Sequence, residues 1–246
     1  DPTFDVEGID AAHKLTILAS LAFGIPLQFE KAYTEGISNI TRDDVNYAEE
    51  LGYRIKHLGI TRKTDLGIEL RVHPTLIPEK RLIANVDGVM NAVLVNADAV
   101  GPTLYYGAGA GAEPTASAVV ADIIDVARVL TADPKNRVPH LAFQPDAISD
   151  ETNILDISEV EASYYLRMQA KDESGVMAKI TQILSNNDIS IEAVIQKEPK
   201  TGKSQVPIVL LTQVVKEKVV NTAIDAIESL PSINGSVVKI RMETLG

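Results

Sequence analysis

Hydrophobic and polar residues first follow the spacing of helices. Apolar residues recur every three to four positions over residues 9–23, where Gly24 and Pro26 end the pattern. Thr41 precedes an acidic turn, which is typical of a helix N-cap, so a second helix is expected to reach about Leu51. The first fifty residues are therefore predicted to contain two helices.

Between residues 53 and 104 the pattern changes to that of strands. Apolar residues alternate with polar ones or form short runs in segments 54–61, 66–73, 92–97 and 103–106. Pro114 then begins a helix that is expected to run to about Leu130. Because strands that follow one another through short connections tend to pair, this region is predicted to be a mostly antiparallel sheet with helices.

A different arrangement begins near Ser163. Strand and helix patterns follow in the order β-α-β-β-α-β, at residues 164–170, 175–186, 189–196, 206–212, 217–230 and 236–243. This order is that of the ferredoxin-like motif. Residues 200–203 are expected to form a hairpin tip, and Pro207 suggests that its strand lies at a sheet edge. The sequence thus predicts an α/β protein of the α+β type.

The two regions are separated by a segment with prolines and scattered polar residues. It predicts a linker at 136–162 between domains at 1–135 and 163–246. Its apolar residues would be unfavourable in water, so we expect the linker to wrap a protein surface. These residues are Leu141, Phe143, Ile148, Ile154 and Leu155.

Composition narrows the classes of function. The chain has 246 residues, no cysteine and a formal net charge of −11. Nucleic acid and anionic membranes both select a basic surface, so neither is an expected partner. No apolar run approaches the roughly 20 residues that cross a bilayer, and the lack of cysteine fits a reducing cytoplasm. The histidines are dispersed at His13, His57, His73 and His140, so no metal site is expected.

Asp10 and Lys14 are the first candidates for chemistry. Their spacing places a carboxylate and an ammonium side by side on one face of a helix. Such a pair is commonly a solvated salt bridge with no further role. It also suits an alcohol dehydrogenase for an amino acid, because the carboxylate can hold the substrate ammonium and the lysine can exchange the hydroxyl proton.

The segment Asp5-Val-Glu-Gly-Ile-Asp-Ala-Ala-His-Lys14 resembles the substrate-binding signature of homoserine dehydrogenases. The resemblance implies that Asp10 binds homoserine, that Lys14 is the catalytic lysine and that Asp5 helps to shape the pocket. The family's substrate-binding glutamate and second active-site lysine would lie before Asp1. The chain is thus expected to be the latter part of a longer protein, without its N-terminal Rossmann domain.

A glycine run forms the second motif, Gly107-Ala-Gly-Ala-Gly111. It could be a tight strand-to-helix turn, or it could let the backbone approach a flat ligand. No βαβ unit is predicted around it, so it is not a Rossmann fingerprint. It resembles the homoserine dehydrogenase segment beside the nicotinamide, which implies that Gly111 and Gly109 contact NAD or NADP.

The third motif, Asp172-Glu-Ser-Gly-Val-Met-Ala178, links a strand to a helix, with Ser174 or Glu173 as the expected N-cap. Simple helix capping would explain it. Together with Asn187-Asp-Ile-Ser-Ile191 it also resembles an ACT domain, a regulatory module that binds amino acids between paired copies. The resemblance implies an amino-acid site at Asp172, Gly175 and Asn187, with threonine as the effector.

Taken together, the resemblances imply part of an enzyme that interconverts homoserine and aspartate semialdehyde in the biosynthesis of threonine, methionine and isoleucine. They also imply a homo-oligomer, since the apolar strand at 88–95 is difficult to place at a solvated surface. The alternative is a non-catalytic, amino-acid-sensing dimer in which only residues 163–246 bind a ligand.

Overall fold

The fold is described from a computed structural model. The structure describes residues 1–131, 133, 139, 142–149, 151–197 and 205–245. The chain forms two compact units, of which the first combines residues 1–78 with 149–246 and the second comprises residues 79–148. The predicted hairpin tip at 200–203, together with His140 and Leu141, lies outside the described residues.

The N-terminal part of the first unit contains three helices and three strands. Helices α1–α3 are Thr3–Val6, Ile9–Phe23 and Arg42–Glu50, and strands β1–β3 are Tyr33–Thr34, Tyr53–Thr64 and Gly67–Pro78. Gly24 ends α2 in the left-handed conformation, with φ 65°, as the sequence predicts. Thr41 caps α3 reciprocally with Asp44, because each side chain accepts the other residue's backbone N–H. The predicted ends of both helices are confirmed.

The second unit contains a two-stranded ribbon and a long helix. Strands β4 and β5 are Met90–Ala97 and Gly101–Ala108, and helix α4 is Ala112–Val129. The strands pair antiparallel with each other over their whole length. No residue of α4 is buried, although its sequence is largely apolar.

The C-terminal part of the first unit has the predicted β-α-β-β-α-β order. Its elements are β6 Glu161–Lys171, α5 Val176–Asn186, β7 Ile191–Gln196, β8 Gln205–Thr212, the short β9 Val215–Lys216, α6 Glu217–Glu228 and β10 Ile233–Met242. The four long strands lie in the order β10-β6-β8-β7. Apolar side chains of α5 and α6 cover one face of this sheet and form a buried cluster with side chains of β6 and β8.

Two local predictions in this part are wrong. The N-cap of α5 is Gly175, with φ 87°, rather than Ser174 or Glu173, and no side chain caps the helix. Strand β8 is interior, since it pairs with β6 on one side and β7 on the other. The pairing of β8 with β7 ends at Ile208, whereas Pro207 is paired with β6 alone. The missing N–H of Pro207 therefore leaves no gap in the hydrogen bonds between β8 and β7.

One sheet runs through the whole first unit. Strand β3 pairs antiparallel with β2, and parallel with β1 and β10. The β3–β10 pairing joins Thr75 to Arg241 and Leu76 to Met242. The described strands before residue 79 and after residue 160 therefore share one hydrogen-bonded layer.

Part of the predicted linker lies on this layer, as the sequence suggests. The backbone of Ile68 bonds to Asn153 and Leu155, and Ile154 packs against an apolar cluster formed by α2 and β3. Burial of Ile154 there removes apolar surface from water. Among the described residues, no helix is long and apolar enough to cross a membrane.

Candidate functional site

Asp10 and Lys14 lie on the outer face of α2, close to its N-terminus. The Lys14 ammonium donates to Asp10 Oδ2, and the two side chains are 68% and 40% exposed. Ala12 and Leu15 point the other way, into the core. Because that buried face fixes the helix, the two charged groups are held at the surface.

The turn before α2 requires glycine. Gly8 is the N-cap with φ 76°, and a Cβ there would come within 2.8 Å of His57 Cε1. His57 Nε2 lies 2.9 Å from the Glu35 carbonyl oxygen, to which it donates, since a carbonyl only accepts. The sequence alone did not indicate that Gly8, His57 and Glu35 meet.

A second segment, residues 35–38, lies against this turn. The Ile37 backbone N–H donates to the Val6 carbonyl at 3.0 Å, and Ser38 Oγ donates to Glu7 Oε1 at 2.6 Å. Gly36 has no room for a side chain, because a Cβ would overlap the Glu7 carboxylate. Asp5 is exposed in α1, which leads into this turn, and its carbonyl accepts from the Gly8 N–H. The structure thus brings Asp5, Asp10 and Lys14 to one end of α2.

The side chains of His13 and His73 pack against other residues of the fold. His13 stacks on Phe29 with ring centroids 3.9 Å apart. His73 is fully buried, and burial together with Arg241 and Arg71 holds its pKa well below the usual range. Among the described residues, no group of three or more histidine, aspartate or glutamate side chains could hold a metal ion.

The glycine run belongs to the second unit. It joins β5 to α4, but β5 pairs antiparallel with β4, so this is not the parallel βαβ setting of a Rossmann fingerprint. Gly109 has a packing role, since a Cβ there would overlap the Asn91 side chain. Gly111 is the N-cap of α4, with φ 131°, and no side chain caps the amides of the first turn.

At the third motif the structure brings together two of the three candidates. Asp172 and Gly175 are exposed in the turn that begins α5, and nothing lies within 4 Å of the position of a Cβ on Gly175. Asn187 is the C-cap at the opposite end of the helix, where its amide donates to the Ile183 carbonyl at 2.9 Å. One copy of the chain therefore does not place Asn187 beside Gly175.

A buried network of charges lies where β3 meets β10. Arg241 bonds to Glu217 and Glu35, and Arg71 bonds to Glu69 and Glu243. Burial raises the pKa of Tyr33, which borders Arg241, to about 12. Burial works against the charge of Glu217, but Arg241 and Lys239 outweigh it and leave the pKa of Glu217 lowered. Sequence reasoning missed this network, because its members are up to about 200 residues apart.

Comparisons with known proteins match both regions of the chain. The homoserine dehydrogenase family profile matches residues 1–124, and the ACT domain profile matches residues 164–232. A homoserine dehydrogenase of Pseudomonas aeruginosa is 66% identical over 245 residues, which are 100% of this chain and 56% of that protein. One of Neisseria gonorrhoeae is 60% identical over the same shares of the two chains.

Solved structures agree with these matches. The crystal structure of a homoserine dehydrogenase from Thiobacillus denitrificans superposes on this chain with a TM-score of 0.93 and 67% sequence identity. The match covers 100% of this chain and 55% of the crystallised one. The chain thus spans a little over half the length of the relatives that it matches. With a family profile over its first half and such identities over its whole length, the chain belongs to the homoserine dehydrogenase family and carries an ACT domain.

Proposed function

We propose that this chain supplies the substrate-binding and regulatory parts of a cytoplasmic homoserine dehydrogenase, which interconverts homoserine and aspartate semialdehyde with NAD or NADP. The reaction would serve the synthesis of threonine, methionine and isoleucine. The observation that carries the proposal is the exposed Asp10–Lys14 pair within the region that matches the family. Buried apolar contacts of α2 hold this pair in place while its polar atoms remain open to solvent.

Each polar group of the pair has a role that its chemistry supports. Asp10 would bind the substrate ammonium, since a carboxylate accepts up to four hydrogen bonds. Lys14 would exchange a proton with the substrate hydroxyl, once its bond to Asp10 has been replaced by the bond between Asp10 and the substrate ammonium. Asp5, exposed in the preceding helix α1, would complete the acidic rim of the pocket. In these roles the two groups would exchange the salt bridge that they form with each other for contacts with the substrate.

The glycine run fits one edge of a nicotinamide site. The absence of side chains at Gly107 and Gly111 would let a flat ring approach the backbone, whereas Asn91 fills the space beside Gly109, and the uncapped amides at the start of α4 would face polar atoms of the ring. A nicotinamide bound there would accept or supply the hydride. The residues of this chain would position it, and Gly111 is the residue for which we propose direct contact.

The C-terminal module is proposed to bind threonine between two copies of the chain. The Asp172–Gly175 turn exposes backbone amides at the start of α5, which suit a ligand carboxylate, and Asp172 suits its ammonium. Asn187, at the far end of α5, would then contact the ligand held by the other copy. A site of this kind exists only in a paired module.

Association through the second unit is also proposed. Val93, Val95 and Tyr105 share one face of the β4–β5 ribbon and are 38–66% exposed. A ribbon of two strands is marginally stable alone, so burial of this face against a second copy would stabilise it. Sedimentation at micromolar concentration tests this, and a monomer would contradict the proposed homo-oligomer.

Turnover and ligand binding test the proposal as a whole. This chain by itself should not turn over homoserine with NADP, whereas the complete enzyme should. Calorimetry with homoserine and with threonine separates an enzyme part from a sensor. A sensor would bind only threonine, at the C-terminal module, and would lose nothing when Asp10 is replaced by alanine.

A further inference from the structure

Arg241 links the C-terminal module to the substrate region through one side chain. It lies in β10 and is fully buried. Its Nε donates to Glu217 Oε2 at 2.6 Å, at the start of α6 within the module. Its Nη1 donates to Glu35 Oε2 at 2.7 Å, in the segment that follows β1. One guanidinium therefore holds a carboxylate from each part of the first unit.

The Glu35 side chain is fixed by more than one partner. Tyr33 Oη donates to the same Oε2 atom at 2.8 Å, and Arg241 Nη2 lies 3.2 Å from Tyr33 Oη. The side chain of Glu35 is nevertheless 30% exposed, whereas that of Arg241 is fully covered. Removal of Glu35 would thus leave Arg241 paired with Glu217 and would open no buried cavity.

The backbone of Glu35 continues the connection. Its carbonyl accepts from His57 Nε2, and the His57 ring packs directly beneath Gly8, the N-cap of α2. Two residues farther on, the Ile37 N–H donates to Val6. The position of Glu35 is therefore transmitted by short contacts to the turn that begins α2, which carries Asp10.

We propose that Glu35, held by Arg241, positions the turn that carries Asp10, so that the C-terminal module sets how well this turn binds substrate. The inference rests on the proposed function of Asp10 as the ligand of the substrate ammonium. Glu35 is a positioning residue, since it acts through the 35–38 segment rather than by touching substrate. Lys14 lies a further turn into α2, beyond the buried Ala12, and is less dependent on this contact.

A matched pair of variants tests the proposal in the complete enzyme. Glu35→Ala removes one carboxylate from Arg241 and leaves Glu217. Glu243→Ala removes one carboxylate from Arg71 and Arg62 and leaves Glu69 beside both, in the same network but without contact to the 35–38 segment. Glu35→Ala should raise KM for homoserine about tenfold, a typical size for coupling between sites. Its kcat should stay within about twofold, and Glu35→Gln, which can still accept from Arg241, should restore part of the loss.

A second measurement needs no turnover. Hydrogen exchange in this chain should accelerate at the Ile37 and Gly8 amides in Glu35→Ala and stay unchanged there in Glu243→Ala. Wild-type KM and exchange in Glu35→Ala would overturn the proposal, as would an equal rise of KM in Glu243→Ala. If Asp10→Ala has wild-type KM, the proposed function of Asp10 fails, whereas the exchange at Ile37 and Gly8 still decides whether Glu35 holds the turn.

Discussion

Two ion pairs in the first unit have the same chemistry and opposite surroundings. Asp10 and Lys14 are exposed on α2, whereas Glu217 and Arg241 are buried between β10 and α6. An exposed pair contributes at most about 1 kcal/mol to stability, but its groups can exchange partners. Loss of one partner of a buried pair typically costs about 3–5 kcal/mol, because the other charge is left without compensation. The exposed pair is thus available for chemistry, whereas the buried pair stabilises the fold.

The largest effect is expected at Lys14, and it should fall on turnover alone. Lys14→Ala in the complete enzyme should lower kcat about 10²–10⁴-fold, the usual contribution of a general acid or base. The melting temperature should hardly change, since the side chain is 68% exposed. Steady-state kinetics and thermal unfolding of the same sample provide the check. Near-normal turnover would make the pair an ordinary surface salt bridge.

The buried pair of Glu217 and Arg241 should affect stability rather than turnover. Arg241→Ala should lower the free energy of unfolding by about 3–5 kcal/mol, because Glu217 loses its main partner in the interior. Urea unfolding of this chain measures the loss. Lys239→Ala is a milder control, since it also removes a partner of Glu217 but from a less buried position. Equal stability of the Arg241 and Lys239 variants would contradict the greater role of the buried partner.

A third ion pair, Asp44 with Arg167, is also buried and adds a pH dependence. Burial opposes the charge of Asp44, yet hydrogen bonds from Arg167 and Thr41 outweigh it and lower the pKa of Asp44 from its ordinary value of 3.8. Its contribution is therefore present above that value and is lost as pH falls through the lower pKa of the folded state. Asp44→Asn should lose about 1.5–3 kcal/mol at pH 7, the range for hydrogen bonds to charged groups. The loss should shrink below about pH 4 in urea titrations. A pH-independent difference would show that the charge has no role.

The smallest effect is expected at Gly175, an exposed position like Lys14. Gly175→Asp should weaken threonine binding at least about tenfold by repelling the ligand carboxylate, with little loss of stability. Gly175→Asn is the matched control, because asparagine tolerates φ 87° about as well and carries no charge. Calorimetry compares the two. If both variants bind threonine as the wild type does, the amino-acid site lies elsewhere.

Local features of the fold could be predicted from the sequence. The ends of α2 and α3 depend on Gly24 and Thr41, whose effects act within one helical turn. The pairing of β3 with β10 could not be predicted, because any parallel edge of suitable length would satisfy the same pattern. The N-cap of α5 was missed because Gly175 adopts a left-handed conformation where a side-chain cap was expected.

In the candidate site, too, some contacts could be predicted from the sequence and others could not. The spacing of Asp10 and Lys14 places them together on any helix, so their contact could be predicted. The packing of His57 beneath Gly8 depends on the path of β2 relative to α2, to which no local pattern is sensitive. The contacts of Glu35 could not be predicted for a related reason, since its partner Arg241 lies in the last strand.

The parallel pairing of β3 with β10 has a consequence for anyone who divides this chain. The sequence suggests that residues 163–246 could be removed as a separate module. Their removal would uncover the edge of β3 at Thr75 and Leu76 and leave unpaired backbone groups there. An uncovered strand edge is a template for pairing with other chains, so the shortened protein should aggregate unless that edge is blocked by charge or proline.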